Sequence, residues 1–355
     1  MNPKNEIAYL NLGSILMKNQ YIKEAEISIN KAIELCPDLS EAYSILSLIL
    51  VDDDRLEEAK LSAYKAIKLN PKNHEAHSNL GIILIELGEL NEAELSIRKA
   101  IEIDPNVAIC YKNLSLLNYA KGNTYDALKN IEKANTIDPL ALDNKLLLAI
   151  LNQRKYMKIN NSKDEKDNEL SNEKCINYPI ILNKAVDKNL IKCLYNIKSL
   201  DLNRFTDPSF GKARGSDYEL FQNNQSITED LKQDLVSITQ KIFNSDVFFR
   251  DSFFTILEGD SIIKKHNHIG SLDLFPNLNL WKQKYSLVYY LSIGDQDCKY
   301  PGSLKFYEDK NSIKSNSEIL PTEGMIIIFP ADRYHSVKYD GNKDRVIIGV
   351  NFYCI

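Results

Sequence analysis

Three histidines in the last third of the chain have the types and spacing of a metal centre. His266 and His268 stand two apart in the run Lys265-His266-Asn267-His268. On a strand that spacing sends both imidazoles to one face. A chelating pair needs a third ligand from elsewhere, and His335, which follows the apolar run GMIIIFP (324–330), is the candidate. Imidazole suits ferrous iron, and a facial three-ligand set leaves positions open for substrate and oxygen. Ten residues past His335 comes Arg345. It opens the last apolar run of the chain. The other two of the five histidines, His74 and His77, lie in the first half of the chain. His77 stands where Tyr43 and Tyr111 stand in sister repeats, and it reads as structural.

These residues need strands to hold them. Runs rich in β-branched and aromatic residues occur at DVFFRDSFFTIL (246–257), YSLVYYLSI (285–293), GSLKFYE (302–308), GMIIIFP (324–330) and RVIIGVNFY (345–353). A helix, DLKQDLVSITQKIF (230–243), precedes them. Short strands separated by glycines predict a sandwich or barrel. Within the second run, alternation puts Tyr285 and Tyr289 on one face and Tyr290 on the other.

The set HNH, KYSLVYYLS, PGSLKFY, PTEGMIIIFPADRYHSV and DRVIIGVNFY resembles the prolyl-4-hydroxylase-like branch of the 2-oxoglutarate- and Fe(II)-dependent oxygenases. It also looks like an oxygenase subfamily often fused to helical repeats. The resemblance covers about residues 200–355. It implies a mainly-β double-stranded β-helix (a jelly roll) with a flanking helix, and Fe(II), 2-oxoglutarate and O2 as reactants. It also implies hydroxylation of a C–H bond in a protein, peptide or small molecule. His266, His268 and His335 would hold the metal. Arg345 would take the far carboxylate of 2-oxoglutarate, with Tyr285, Tyr289 and Asn351 as further cofactor-binding candidates. The family pattern has a carboxylate where this chain has His268. Three neutral imidazoles leave the site one charge more positive, and Asp273 is an alternative source of the missing carboxylate.

The first half repeats. Pro37, Pro71, Pro105 and Pro139 are 34 residues apart, and so are Ala32, Ala66, Ala100 and Ala134. The same period runs through Ala25, Ala59, Ala93 and Ala127, through Gly13, Ser47, Gly81 and Ser115, and through Leu12, Leu46, Leu80 and Leu114. A unit of two antiparallel helices that cannot bury its own apolar face must stack on its neighbours. Small residues mark close helix approaches, and proline ends each unit. The pattern resembles the tetratricopeptide repeat, in four copies (6–39, 40–73, 74–107, 108–141). Residues 142–157 read as a capping helix, so the all-α solenoid is expected over 1–157. A polar linker follows over 158–174 and the β domain over 175–355. Such solenoids bind proteins or peptides on the concave face, here expected at Asn11, Ser44, Asn79, Lys112 and Asn113.

Composition narrows the class. The net charge of −5 gives no pull toward nucleic acid. No apolar run approaches a membrane span or a signal peptide. Six scattered cysteines without a CxxC pair read as reduced thiols, which implies a cytoplasmic protein. The alternative to an oxygenase is a non-enzymatic scaffold, in which the repeats bind partners and the β half is inert.

Overall fold

A computed structural model describes residues 5–18, 21–161, 179–201, 213–216, 219–222, 225–275 and 278–355. Most of the expected 158–174 linker lies outside the described residues. The chain divides into two compact units, one formed by Met1–Asp167 with Phe275–Asn277 and the other by Asn168–Leu274 with Leu278–Ile355.

The first unit consists of helices α1 (Glu6–Lys18), α2 (Ile22–Leu35), α3 (Ser40–Asp52), α4 (Leu56–Leu69), α5 (His74–Glu86), α6 (Leu90–Ile103), α7 (Ala108–Ala120), α8 (Thr124–Ile137) and α9 (Leu142–Asn161). They pair as antiparallel hairpins and then stack. Each even-numbered helix from α2 to α8 stops two residues before its proline, as the missing amide hydrogen requires. The alanine rows at 25, 59, 93 and 127 and at 32, 66, 100 and 134 are fully buried. A methyl group at Gly13 or Gly81 would run into Ile29 or Ile97 of the paired helix. Ser47 and Ser115 fill the same position and turn their hydroxyls to backbone carbonyls, those of Ser44 and Ala127, each at 2.7 Å. The last helix extends to Asn161, four residues past the expected end of the cap.

The second unit has two antiparallel sheets. One, of seven strands, has the order β1 (Ile180–Asn183), β9 (Met325–Pro330), β6 (Lys284–Ile293), β11 (Arg345–Cys354), β4 (Val247–Leu257), β3 (Arg214–Gly215), β2 (Leu200–Asp201). The other, of four, has the order β5 (Ser261–His266), β10 (Tyr334–Tyr339), β7 (Pro301–Tyr307), β8 (Ser317–Ile319). Two helices, Lys188–Asn196 and Ser226–Phe243, supply Leu190, Leu194, Leu231 and Leu235 to a core on one face of the large sheet. Leu287, Ile326, Ile328, Val346, Ile348 and Val350 meet them there. A second core joins the sheets, with Tyr290, Ile327 and Phe329 from the large one and Leu304, Phe306, Val337 and Tyr339 from the small one. β6, β9 and β11 are therefore buried on both faces.

Candidate metal centre

The antiparallel β5–β10 ladder sets His266 directly opposite His335. The two ring centroids are 4.3 Å apart. His268 joins them at 4.9 Å from His266 and 5.0 Å from His335. One ring nitrogen from each of the three lies within 4.8 Å of the others. The expectation that His266 and His268 share a strand face is corrected in its reason. β5 ends at His266, and His268 belongs to the loop beyond it. Its backbone N–H donates to Ala331 O at 2.8 Å, and that bond brings the ring back to the other two.

Tautomers follow from the hydrogen bonds. The His266 Nδ1 contacts Lys264 O at 2.8 Å and the His335 Nδ1 contacts Arg333 O at 3.0 Å. A carbonyl only accepts, so each Nδ1 carries the proton and each Nε2 presents a lone pair. Burial lowers the pKa of all three rings, and their mutual proximity adds to it for His268 and His335. His335 falls to about 3. Neutral imidazoles with Nε2 free are the form that ligates a divalent ion. Phe306 and Phe329 flank the His335 ring, the latter at 4.9 Å between centroids.

Asp273 does not join the cluster. Its Oδ2 accepts from Gly270 N at 2.8 Å and pairs with Lys284 Nζ at 2.8 Å, while its Oδ1 accepts from the Tyr353 hydroxyl at 2.7 Å. Asn351 is also placed otherwise than expected. Its amide meets the Ser286 hydroxyl at 2.8 Å and His268 Nδ1 at 3.5 Å, so it backs a ring of the cluster and does not accompany the Arg345 guanidinium.

Arg345 is fully buried. One Nη donates to Gly302 O, while Nε and the other Nη have no hydrogen-bond partner among the described residues. The guanidinium lies 5.4 Å from the Tyr290 ring centroid and 5.5 Å from that of Tyr339. Burial pulls its pKa down, opposed in part by Tyr290, Tyr339 and Cys298. Gly302, at φ +77°, leaves the space the guanidinium occupies, and a Cβ there would collide with it. A buried cation with two spare donors suits an anion. Tyr285 and Tyr289 are not beside it, contrary to expectation. Both point to the helix-covered face, where Tyr285 packs on Phe243 at 4.4 Å and the Tyr289 hydroxyl donates to Ala185 O at 2.9 Å. Tyr290, one residue on, holds the place expected of them.

In the solenoid, two of the expected contact residues are buried. Ser44 accepts from Asn79 Nδ2 at 3.1 Å, and Asn113 Nδ2 donates to the Ser78 hydroxyl at 2.9 Å. These bonds tie successive repeats together, so Ser44 and Asn113 are removed from the partner-facing set and Asn79 is engaged by its neighbour. Lys112 lies 3.6 Å from Asp143, and Asn11 is exposed.

Residues 7–39 and 40–73 match one tetratricopeptide repeat model and residues 63–94 match another. Solved structures similar to the chain include a thermophilic tetratricopeptide repeat protein of Thermus thermophilus, at 23% identity over 42% of this chain and 82% of that one, with a TM-score of 0.39. MamA matches at 28% identity over 39% of this chain and 81% of its own, with a TM-score of 0.34. A tetratricopeptide repeat protein of Parabacteroides merdae matches at 20% over 47% and 68%, with a TM-score of 0.37. No match was found among curated proteins. The chain thus carries tetratricopeptide repeats, which suit protein interaction, ahead of a β-rich C-terminal region. No helix among the described residues is long and apolar enough to cross a membrane.

Proposed function

We propose that the β-rich half is a 2-oxoglutarate- and Fe(II)-dependent dioxygenase of double-stranded β-helix type, to which the repeats bring a protein or peptide. The observation that carries this reading is the pairing of two features in one unit. Three histidines whose pKa values burial lowers converge, one ring nitrogen of each within 4.8 Å of the others, and a buried arginine keeps two donors without a hydrogen-bond partner among the described residues. His335 and Tyr339 lie on the inward-facing side of β10, four residues or about 13 Å apart along the strand, and Arg345 packs on Tyr339. A chelated anion with a second, distal carboxylate matches that layout.

His266, His268 and His335 would hold the metal. Arg345 would hold the distal carboxylate, with Tyr290 and Tyr339 shielding the guanidinium from water. Iron with 2-oxoglutarate supplies, when bound, the oxidising power to hydroxylate a C–H bond. The protein's share is to orient the co-substrate and keep the site dry, which Phe306 and Phe329 serve. Three neutral ligands leave the metal more cationic than two histidines and a carboxylate, which favours a dianionic co-ligand.

The test is a melting experiment on the full chain with Fe(II), under argon, with and without 2-oxoglutarate. Metal and 2-oxoglutarate together should raise the transition above either alone, because each binds only the folded form. No shift with either would leave the scaffold reading.

A further inference from the structure

His266 and His335 hold their places by strand register, but His268 has no such support. Among the described residues, the hydrogen-bonding group its ring meets is the Asn351 amide, at 3.5 Å. What fixes the segment is its backbone and the turn that follows. Ala331 is the first anchor. Its carbonyl accepts from His268 N at 2.8 Å, and its own N–H donates to Lys284 O at 3.0 Å. Asp273 is the second. Its N–H donates to Gly270 O at 3.0 Å and its Oδ2 accepts from Gly270 N at 2.8 Å, which closes the turn from both sides. The same carboxylate takes the Lys284 ammonium and the Tyr353 hydroxyl. Lys284 opens β6 and Tyr353 stands near the end of β11, so both belong to the large sheet. The loop from 267 to 273 is therefore bound to Lys284 at both ends, once through Ala331 and once through Asp273. Asp273 and Lys284 are 0% and 4% exposed.

A buried ion pair gives a fold little that apolar side chains of equal volume would not give. Here the pair sits behind the one histidine of the cluster that no ladder holds. We propose that Asp273 and Lys284 are positioning residues: they set the His268 imidazole so that a metal meets three ring nitrogens and not two. This inference rests on the metal reading above. The carboxylate does not touch the metal, and its work is to fix the ligand that stands where a carboxylate would otherwise be.

The test uses the full chain and Co(II), whose visible absorption reports the number and geometry of its ligands. The variants are Asp273→Asn/Lys284→Met, which removes both charges together, and Tyr353→Phe, which removes one donor to the same carboxylate. His266→Ala and His268→Ala serve as references. The double variant should melt as a folded protein, bind Co(II) about 10–100-fold more weakly and shift its spectrum toward that of His268→Ala. Tyr353→Phe should move the spectrum the same way by less. Wild-type affinity and spectrum in the folded double variant, or in Tyr353→Phe should the double variant not fold, would overturn the proposal. It also falls, alone, if His268→Ala binds like wild type while His266→Ala does not. If wild type takes up no Co(II), or His266→Ala takes it up equally, the metal centre itself is wrong and the inference falls with it.

Discussion

His335 faces His266 across the β5–β10 ladder with their Cα atoms in register and each Nδ1 bonded to the carbonyl two residues before it in the chain. Two histidines of the cluster are thus oriented by backbone hydrogen bonds. A one-residue slip of β10 would turn His335 to the opposite face.

Arg345→Met should change two quantities in opposite directions. Removing an unpaired buried cation relieves a penalty of about 1–3 kcal/mol, so the ligand-free protein should melt several degrees higher. The response to 2-oxoglutarate should weaken at least about tenfold, because a desolvated charge pair is lost. Paired melts with and without 2-oxoglutarate measure both effects. A lower ligand-free melting point with an unchanged response to 2-oxoglutarate would contradict the role assigned to Arg345.

Two adjacent tyrosines should separate stability from co-substrate binding. Tyr290→Leu should raise the 2-oxoglutarate concentration needed for half-saturation, since the lost ring borders the guanidinium. Tyr289→Phe should leave that concentration alone and cost about 1 kcal/mol of stability, through the lost bond to Ala185 O. Urea denaturation and 2-oxoglutarate titration of both variants decide the matter. Equal effects on binding would return Tyr289 to the site.

Metal-free stability should depend on pH through the histidines. His335 titrates at about 3 in the fold and near 6.5 unfolded. Between those values the unfolded chain binds the extra proton, so stability rises with pH. The contribution is whole above about pH 6.5 and declines by about 1.4 kcal/mol per pH unit below it. His268 and His266 shift in the same direction. Urea denaturation at pH 7.5, 6 and 5 should show a steeper decline for wild type than for His335→Gln. Parallel declines would mean that the His335 ring is not held neutral.

In the solenoid, Asn113→Ala should behave as a core substitution. Its amide is buried and donates to Ser78, so about 1–2 kcal/mol should be lost. Thermal unfolding read by helical circular dichroism would register this, whereas a surface contact residue would leave the transition in place.

The repeats are legible from sequence almost to the residue, because each row of alanine, proline or small residue has one steric task per 34-residue unit. The β half is legible in its long apolar strands only. β5 (SIIKKH) and β10 (YHSVKY) carry two of the three clustered histidines, yet their charged and polar residues hide the alternation. Pattern alone cannot say which face of β6 meets the helices, since both faces are buried and apolar. That is why the alternation points to Tyr289 where Tyr290 stands. Ser44 and Asn113 mislead because a small polar residue satisfied between helices looks, in sequence, like one that faces solvent. His268 meets the His266 and His335 rings by way of a loop whose anchors, Ala331 and Lys284, come more than ten residues later.

A guanidinium enclosed without a counter-charge among the described residues would also tie the lifetime of the protein to its surroundings. Any anion that settles on Arg345 stabilises the folded form by mass action. Proteases act on the fraction that opens, and that fraction shrinks as the anion becomes abundant. Scarcity of such an anion should then leave more of the protein open to proteolysis, so that cellular abundance becomes a slow record of its supply.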